Sequence, residues 1–391
     1  MSLTADPPAK IRLTSAQRRC WWIIAAGFFA AHFISYTFQV TAPAFFMLLD
    51  FTWEQYGSMD NYFYWGLALG ALLSSPLCSR FGSKKTWLLS TALFSLCATL
   101  CALASSAQFI LTLRFLTGVG IMSMTIAALI ILSALLPAAR RGWYIAMALA
   151  FGTLATPIGP LLVDLLFRFT GSGGWRFCFA AMALSLLLLP FGWRGLIEPL
   201  AETSKGQAPS LRQRFLLLIL LACALYQLTA GGSALLLNAG HSFALIVGLS
   251  FLVSSTAAYG LMAFAADRFS PRTLLLFTAG LAGALSLLRF FLPAPDPVNN
   301  AIPLAATLLS MVLPLAAYGF AAICWIYAAC TLQEAGQSHA FGLLTAAAFM
   351  LVWLLRTLLL RTLLLPFLLL GTILFFASAV LVFCWIKPDA L

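Results

Sequence analysis

The chain has 391 residues, of which 62% are hydrophobic and only 8% are charged, with a net charge of +11. Soluble domains carry about 25% charged residues, so this composition excludes an ordinary water-soluble protein. In lipid, only helices and closed barrels satisfy their backbone groups, and long continuous apolar runs argue against the short alternating strands of a barrel. The sequence therefore predicts an all-α membrane protein.

Twelve apolar runs reach the length of about 20 residues that a membrane-spanning helix needs. They are numbered here as spans 1 to 12 and lie near residues 20–48, 58–79, 85–105, 108–136, 142–170, 175–193, 214–237, 242–266, 272–292, 301–331, 339–361 and 363–386. Span 1 is too long for the core of a cleaved signal peptide, so we expect it to remain in the protein.

The largest polar break separates spans 6 and 7 and predicts a linker between two six-helix halves. We expect a tail over 1–19, an N-terminal bundle over 20–193, a linker over 194–213 and a C-terminal bundle over 214–387. Lys and Arg favour cytoplasmic loops, and with the N-terminus inside, 16 of the 22 basic residues fall on that side. This pattern predicts a multi-pass protein of a bacterial inner membrane with both termini in the cytoplasm. Because the charge is spread over separate loops, we expect no nucleic-acid partner.

A related segment occurs in both halves, between the second and third span of each. The first copy reads SRFGSKKT from Ser79 to Thr86, and the second reads DRFSPRT from Asp267 to Thr273. Internal repeats of this kind are typical of secondary transporters, in which the substrate site lies at the repeat interface near the membrane midplane. The repeat therefore predicts two pseudo-symmetric bundles.

Three motifs identify a family. They are SPLCSRFGSKKTWL after span 2, RFLTGVG in span 4 and GTLATPIGP in span 5. With these motifs, and with GGWRFCF before span 6, the chain resembles the major facilitator superfamily over nearly its whole length, and in particular its drug:proton antiporter branch. It departs from the family pattern at Ser79, where aspartate is usual, and at Thr156, where glycine is typical. Span 1 also lacks the acid that many antiporters carry.

The resemblance implies a monomeric secondary transporter that works by alternating access, in contact with lipids, a small-molecule substrate and protons. It implies a small organic, amphipathic solute, proton coupling and a slight preference for export. Uptake of a metal chelate, a peptide fragment or an organic anion stays open, and so does a membrane sensor or assembly protein that transports nothing. We find no GxxxxGK[ST], HExxH or GxSxG motif and therefore expect neither an enzyme nor a cofactor or metal.

Candidate substrate-binding residues lie on the spans that line the central cavity in the family. They are His32, Tyr36 and Gln39 on span 1, Arg114 on span 4, Tyr226 and Gln227 on span 7, and Tyr318 and Trp325 on span 10. The span 1 residues share one helix face because of their spacing. Each aromatic or polar residue in this set also has a packing explanation, which the sequence leaves open.

Ionisable groups inside a span are costly, and so they are candidates for proton coupling. His32, Arg114 and Asp164 form this set. His32 titrates near neutral pH when exposed, but it could equally pack as a neutral group. Arg114 could instead be a structural hydrogen-bond centre. Asp164 could simply pair with Arg168 one turn further along.

Two gates are predicted at opposite ends of the bundle. At the outer end we expect Asp60, placed at the start of span 2, to pair with Arg356 of span 11 when that end closes. At the inner end the resemblance implies that Arg80 and Lys84 engage the start of span 11, with Glu334 as an available acceptor. Asp267 and Arg268 occupy the equivalent place in the second half. Solvation of Asp60 and Arg356 in an outer vestibule, and plain charge retention by Arg80 and Lys84, are the alternatives.

Overall fold

The computed structural model describes residues 13–49, 51–199, 210–236, 256–291, 304–334, 338–362 and 367–386. All regular structure in these ranges is helical. The helices of the first half are α1 (Ser15–Leu48), α2 (Trp53–Phe81), α3 (Ser83–Leu100), α4 (Ala107–Leu135), α5 (Arg141–Thr153), α6 (Ala155–Thr170), α7 (Gly174–Ala181) and α8 (Leu188–Gly195). Those of the second half are α9 (Leu211–Leu236), α10 (Thr256–Ala266), α11 (Pro271–Phe291), α12 (Leu304–Glu334), α13 (Ser338–Thr362) and α14 (Phe367–Trp385).

Three helices start with the same capping device. At each of these starts, a hydroxyl side chain accepts a hydrogen bond from the backbone N–H of the glutamine three residues later, and the glutamine side-chain oxygen accepts one from the backbone N–H of the hydroxyl residue. The hydroxyl residues are Thr14, Thr52 and Ser210. This reciprocal bond satisfies two backbone donors that a helix start leaves free. It also corrects a prediction, because α2 begins at Trp53 and not near residue 58. Asp60 therefore lies two turns inside α2 and not at its start.

The predicted spans 5 and 6 are each interrupted. Span 5 divides at Leu154 into α5 and α6, between Thr153 and a segment that contains two prolines. Proline lacks a donor and crowds the preceding turn, which explains a break here. Span 6 passes through a 3-10 stretch, Met182–Leu187, between α7 and α8. Elsewhere the described helices match the predicted spans to within about five residues. The first part of span 8, before residue 256, lies outside the described residues.

Close backbone contact between α2 and α4 forms the centre of the first half. A side chain at Gly66 would lie 2.0 Å from the Phe115 carbonyl oxygen, and one at Gly70 would lie 2.3 Å from that of Val119. Both pairs are 49 residues apart, so the two helices run parallel in a fixed register. Small residues permit this approach, as in other membrane helix pairs.

Six described helical segments are long and apolar enough to cross a membrane, one of them formed by α7, the 3-10 stretch and α8 together, and α10, α13 and α14 contribute shorter apolar stretches. Large apolar side chains also cover much of the outer surface; Phe169 is 79% exposed and Leu184 is 68% exposed. Such a surface suits lipid and not water. We call the end of the bundle that carries the α2–α3 and α10–α11 connections the basic end.

Candidate functional site

His32 and Tyr36 lie one turn apart on α1 and begin the polar surface of the site. The His32 Nδ1 is 2.9 Å from the Phe28 carbonyl oxygen, and the two rings are 6.5 Å apart. Because a carbonyl only accepts, Nδ1 carries the hydrogen, and Nε2 keeps its lone pair in the neutral ring. The bond to its own helix therefore fixes the tautomer and leaves Nε2 for another partner.

The glycines of the GTLATPIGP motif bring α5 and α6 against this face of α1. A side chain at Gly152 would lie 2.9 Å from the Phe28 Cβ and 3.1 Å from the His32 Nδ1. A side chain at Gly159 would lie 2.9 Å from the Thr37 hydroxyl. The glycines of this motif therefore form a surface on which α1 packs against α5 and α6. Thr156, which stands between these glycines, faces Tyr36.

The second half completes the surface with two tyrosines. The hydroxyl of Tyr318 on α12 is a hydrogen-bonding neighbour of the Tyr36 hydroxyl. The ring of Tyr259 on α10 lies 6.0 Å from the Tyr318 ring. We call Tyr36, Tyr259 and Tyr318 the tyrosine cluster. Phenols donate and accept hydrogen bonds while their rings offer apolar faces, so the cluster can hold a flat, partly polar molecule.

A second polar contact joins the two halves beside the tyrosine cluster. The hydroxyls of Thr153 on α5 and Thr256 on α10 are 3.0 Å apart. Further toward the basic end, a side chain at Gly142 would lie 3.0 Å from the Ala266 Cβ. The α5–α10 contact therefore extends from the middle of the bundle to the basic end.

Arg114 is fully buried in the first half, beneath the aromatic rings of α1 and α2. Its guanidinium carbon lies 4.4 Å from the centre of the Phe38 ring and 3.9 Å from that of the Phe63 ring. Within the described ranges, none of its three side-chain nitrogens has a hydrogen-bond acceptor. Arginine stacks on aromatic faces through cation–π attraction, which leaves its N–H edge for another group.

Of the predicted substrate residues, the structure brings His32, Tyr36 and Tyr318 together. Trp325 lies two turns further along α12 and packs against Phe341, with ring centres 5.9 Å apart. The Gln39 side-chain oxygen is buried and has no partner among the residues described. The side chains of Tyr226 and Gln227 lie outside the described part of the molecule.

The local alternative for Asp164 is observed. Its Oδ2 accepts from the Arg168 Nε at 2.9 Å, and the side chain of Arg168 is 74% exposed. A role of Asp164 in proton coupling stays a prediction. The Arg356 side chain lies outside the described part, and so its pairing with Asp60 stays a prediction as well.

At the basic end the α2–α3 connection is held from within its own half. The Glu198 carboxylate accepts from the Ser83 N–H at 2.6 Å and from the Lys84 N–H at 2.8 Å. The Lys84 ammonium lies 5.9 Å from the centre of the Trp193 ring. Arg80 is exposed and lies over the adjacent Phe81 ring. The Glu334 side chain, the predicted acceptor, lies outside the described part.

The equivalent connection of the second half does reach the other half. The Asp267 Oδ1 accepts from the Trp143 N–H in the first turn of α5 at 3.2 Å. Arg268, the neighbour predicted with it, is exposed. Burial raises the pKa of Asp267, while the Trp143 bond and nearby Arg140 act in the opposite direction.

Sequence reasoning missed several residues of the site: Tyr259, Thr153, Thr256, Phe38, Phe63 and Glu198. Tyr259 was detectable, because a phenol inside an otherwise apolar span needs a polar partner. The two phenylalanines were not, since nothing distinguishes them from other aromatic residues in this chain. Among the described residues, no group of three or more His, Cys, Asp or Glu side chains could hold a metal ion.

The sequence profile of the Major Facilitator Superfamily matches residues 24–358. The chain therefore belongs to this family of membrane transporters and not to an enzyme family. In fold it is similar to the proton:xylose symporter XylE, with a TM-score of 0.76, 14% identity, and coverage of 95% of this chain and 96% of that one. It is also similar to FucP in the outward conformation, with a TM-score of 0.73, 15% identity, and coverage of 95% and 100%.

Curated relatives match over shorter stretches. The gallate transporter of Pseudomonas putida is 31% identical over 146 residues, which cover 37% of this chain and 32% of that protein. The chloramphenicol resistance protein CraA of Acinetobacter baumannii is 35% identical over 147 residues, or 37% and 33% of the two chains. The niacin transporter NiaP of Acinetobacter baylyi is 32% identical over 97 residues, or 25% and 22%. The chain thus spans about a third or less of the length of these relatives.

Proposed function

We propose that this protein is a proton-coupled secondary transporter that exports a small, flat organic solute by alternating access. The observation that carries the proposal is the tyrosine cluster, because Tyr36 comes from the first half and Tyr318 from the second. When the halves separate, this contact breaks and both hydroxyls can turn to a solute. A solute bound between them would then move with the halves.

The proposal includes a place in the cell. The protein lies in a bacterial inner membrane as a monomer, with both termini and the basic end in the cytoplasm. Support comes from the basic residues, which gather on the loops of one end, as positively charged loops do in other membrane proteins. In this orientation the contacts at Gly142 and Asp267 close the cytoplasmic end.

Uptake of an aromatic acid is the second candidate. Two relatives are transporters of gallate and of niacin, both of which are aromatic carboxylic acids. Their aromatic rings fit the tyrosine cluster, and buried Arg114 offers a positive charge to a carboxylate. The similarity to a chloramphenicol resistance protein favours export of an uncharged aromatic compound instead.

Transport by vesicles of both orientations separates these candidates. Chloramphenicol, gallate and niacin are the probes. An exporter accumulates its solute in energised everted vesicles, whereas an uptake transporter accumulates it in right-side-out vesicles. We expect gradient-driven accumulation of one aromatic probe in everted vesicles. If no vesicle preparation moves any probe above the empty-vector background, the proposal fails.

A single hydroxyl tests the site. Tyr318→Phe removes the group that contacts Tyr36, and we expect about a tenfold loss of transport, the size of one good hydrogen bond to a neutral partner. Tyr327→Phe is the matched control, because it removes a phenol hydroxyl nine residues along the same helix, where Thr331 is the partner. Equal loss in both variants would argue against the tyrosine cluster as the binding site.

A further inference from the structure

The register of α2 and α4 brings Asp60 close to Arg114. Gly66 meets Phe115, and Gly70 meets Val119, so a residue of α2 lies level with one about 49 positions later on α4. Asp60 is therefore level with Phe109, which lies about one and a half turns before Arg114 on α4. Helical side chains lean toward the start of their helix. The long Arg114 side chain consequently extends back toward the level of Asp60.

The surroundings of Arg114 call for a negative group. The Phe38 and Phe63 rings both lie close to the guanidinium, and no nitrogen has an acceptor within the described ranges. A buried charge without a partner costs several kcal/mol. Asp60 is the carboxylate that acts on Arg114 electrostatically, together with Tyr64 and Cys101. It is half-buried and forms no ion pair within 4.0 Å among the described side chains.

The other described acids have different places. Glu54 lies exposed in the first turn of α2, and Asp164 pairs with Arg168. Glu198 and Asp267 bind backbone N–H groups at the basic end. Among the described residues, Tyr56, one turn before Asp60 on α2, and Arg114 on α4 interact with Asp60 electrostatically, and Tyr64, one turn after it, acts on Arg114. Asp60 is thus the described acid placed to respond to Arg114.

We infer that Asp60 is the acid through which proton movement is coupled to transport, with Arg114 as its counter-charge; this rests on the second candidate of the proposed function, uptake of an aromatic acid together with a proton. Span 1 carries no acid, and α2 supplies one instead. With Asp60 ionised, its carboxylate attracts the Arg114 guanidinium. When Asp60 takes one proton from water it becomes neutral, and the N–H groups of Arg114 turn to the solute. Loss of that proton to water on the other side restores the pair.

Two transport assays in proteoliposomes test this inference, with the aromatic probe that the wild type moves. The first measures accumulation driven by a pH gradient. The second measures exchange of labelled for unlabelled probe at equal pH, which needs no net proton movement. We expect Asp60→Asn to lose gradient-driven accumulation at least tenfold and to keep exchange within threefold of the wild type. Asp60→Glu should restore accumulation, with its pH profile displaced.

Glu54→Gln is the matched control, since it neutralises an exposed acid on the same helix. It should leave both assays unchanged. Accumulation by Asp60→Asn at the wild-type level would overturn the inference while leaving the proposed function intact. Loss of both assays in a variant that purifies and melts like the wild type would also overturn it. Absence of both activities in the wild type would instead refute the proposed function.

An exchange of charges separates this role from the outer gate. If the double variant Asp60→Arg, Arg356→Asp recovers gradient-driven accumulation that each single variant has lost, Asp60 acts as a gate partner and the inference is wrong. We expect no recovery, because an arginine at position 60 would repel Arg114 and cannot release a proton at neutral pH.

Discussion

The α2–α3 and α10–α11 connections come from one sequence repeat, yet the first is bound within its own half and the second is bound to the other half. Glu198 binds the start of α3 from within the first half, at 2.6 and 2.8 Å. Asp267 binds the start of α5 across the boundary between halves, at 3.2 Å. Ser79 stands where Asp267 stands in the second copy, and its hydroxyl donates only to the Pro76 carbonyl at 3.0 Å. The two copies of the repeat thus differ at this position and in the half that each connection contacts.

The difference shows what holds the halves together beside α2. Without a carboxylate at position 79, α2 meets α13 mainly through close backbone packing. A side chain at Gly342 would lie 2.5 Å from the Ala71 carbonyl oxygen and 2.6 Å from the Ser74 hydroxyl. Further along, Trp65 and Trp353 pack with ring centres 4.7 Å apart. Close packing therefore holds α2 against α13 at the basic end. On the α5–α10 side, the Asp267 carboxylate adds a charged contact.

The largest effect is expected when this packing is broken. Gly342→Leu forces a side chain into the Ala71 backbone, and overpacking of this kind costs about 3 kcal/mol, or roughly a hundredfold in the population of the closed basic end. We expect transport to fall by a similar factor. The half-buried Cys78 near the end of α2 should react faster with a maleimide.

Gly280→Leu is the control for that variant, because no atom of the described residues lies within 4 Å of a side chain at Gly280. It should transport normally and leave the labelling rate of Cys78 unchanged. Similar losses in the two variants would mean that a bulky residue is harmful anywhere in these helices. The loss in Gly342→Leu would then not show that α2–α13 packing closes the basic end.

A smaller effect should follow from loosening the contact within the first half. Gly82 has φ of 87° and lies under the Glu198 carboxylate, 2.8 Å from the place of a side chain. Gly82→Ala therefore carries both a backbone cost and displacement of Glu198. We expect about 2 kcal/mol of destabilisation, seen as a lower apparent melting temperature in detergent.

Gly171→Ala separates these two costs. Gly171 has φ of 64°, but within the described part of the chain no atom lies within 4 Å of its side-chain position. This variant should show only the backbone cost of about 1 kcal/mol. If Gly82→Ala melts no lower than Gly171→Ala, Glu198 does not stabilise the start of α3, and the contrast between the two connections weakens.

Hydropathy predicted the membrane class and the positions of most helices, because burial in lipid leaves a strong pattern in sequence. The motifs predicted the family. Helix ends were harder, as Thr52 shows: its bond with Gln55 starts α2 in a stretch that carries too many polar groups to count as a span. The break at Leu154 was missed because apolar residues continue through it.

The candidate site was predictable only in part. His32, Tyr36 and Tyr318 stand out because polar groups are rare within spans, and the structure places them together. Contacts between segments that are distant in sequence cannot be recognised from residue type in this way. Nothing in the sequence pairs Glu198 with Ser83 across 115 positions, or aligns Asp60 with Arg114, since both depend on how the helices pack.

The smallest effect is expected at Asp267. Whether acidification closes or opens the basic end shows if Asp267 acts as a hydrogen-bond acceptor or as a charge. Burial raises its pKa in the closed state described here. That state therefore binds a proton more tightly than an open state in which Asp267 faces water, so acidification just above the ordinary pKa of an aspartate favours closure. Asp267→Asn imitates the protonated acid and keeps an acceptor for the Trp143 N–H, so it should close at least as well as the wild type.

Asp267→Ala removes the acceptor and should reduce the closed population by about threefold, a modest loss because the residue is only partly covered and water also reaches it. Distances between spin labels on α5 and α10, recorded from pH 7 down to pH 4, measure that population. The wild type should shift toward the closed distance as the pH falls, and both variants should lose this dependence. Opening of the wild type on acidification would mean that the ionised carboxylate, and not its oxygen as an acceptor, holds the second connection across the halves. The α2–α3 and α10–α11 connections would then differ because one carries a charged aspartate and the other carries the neutral Ser79. Packing between α2 and α13 would not be needed to explain the difference.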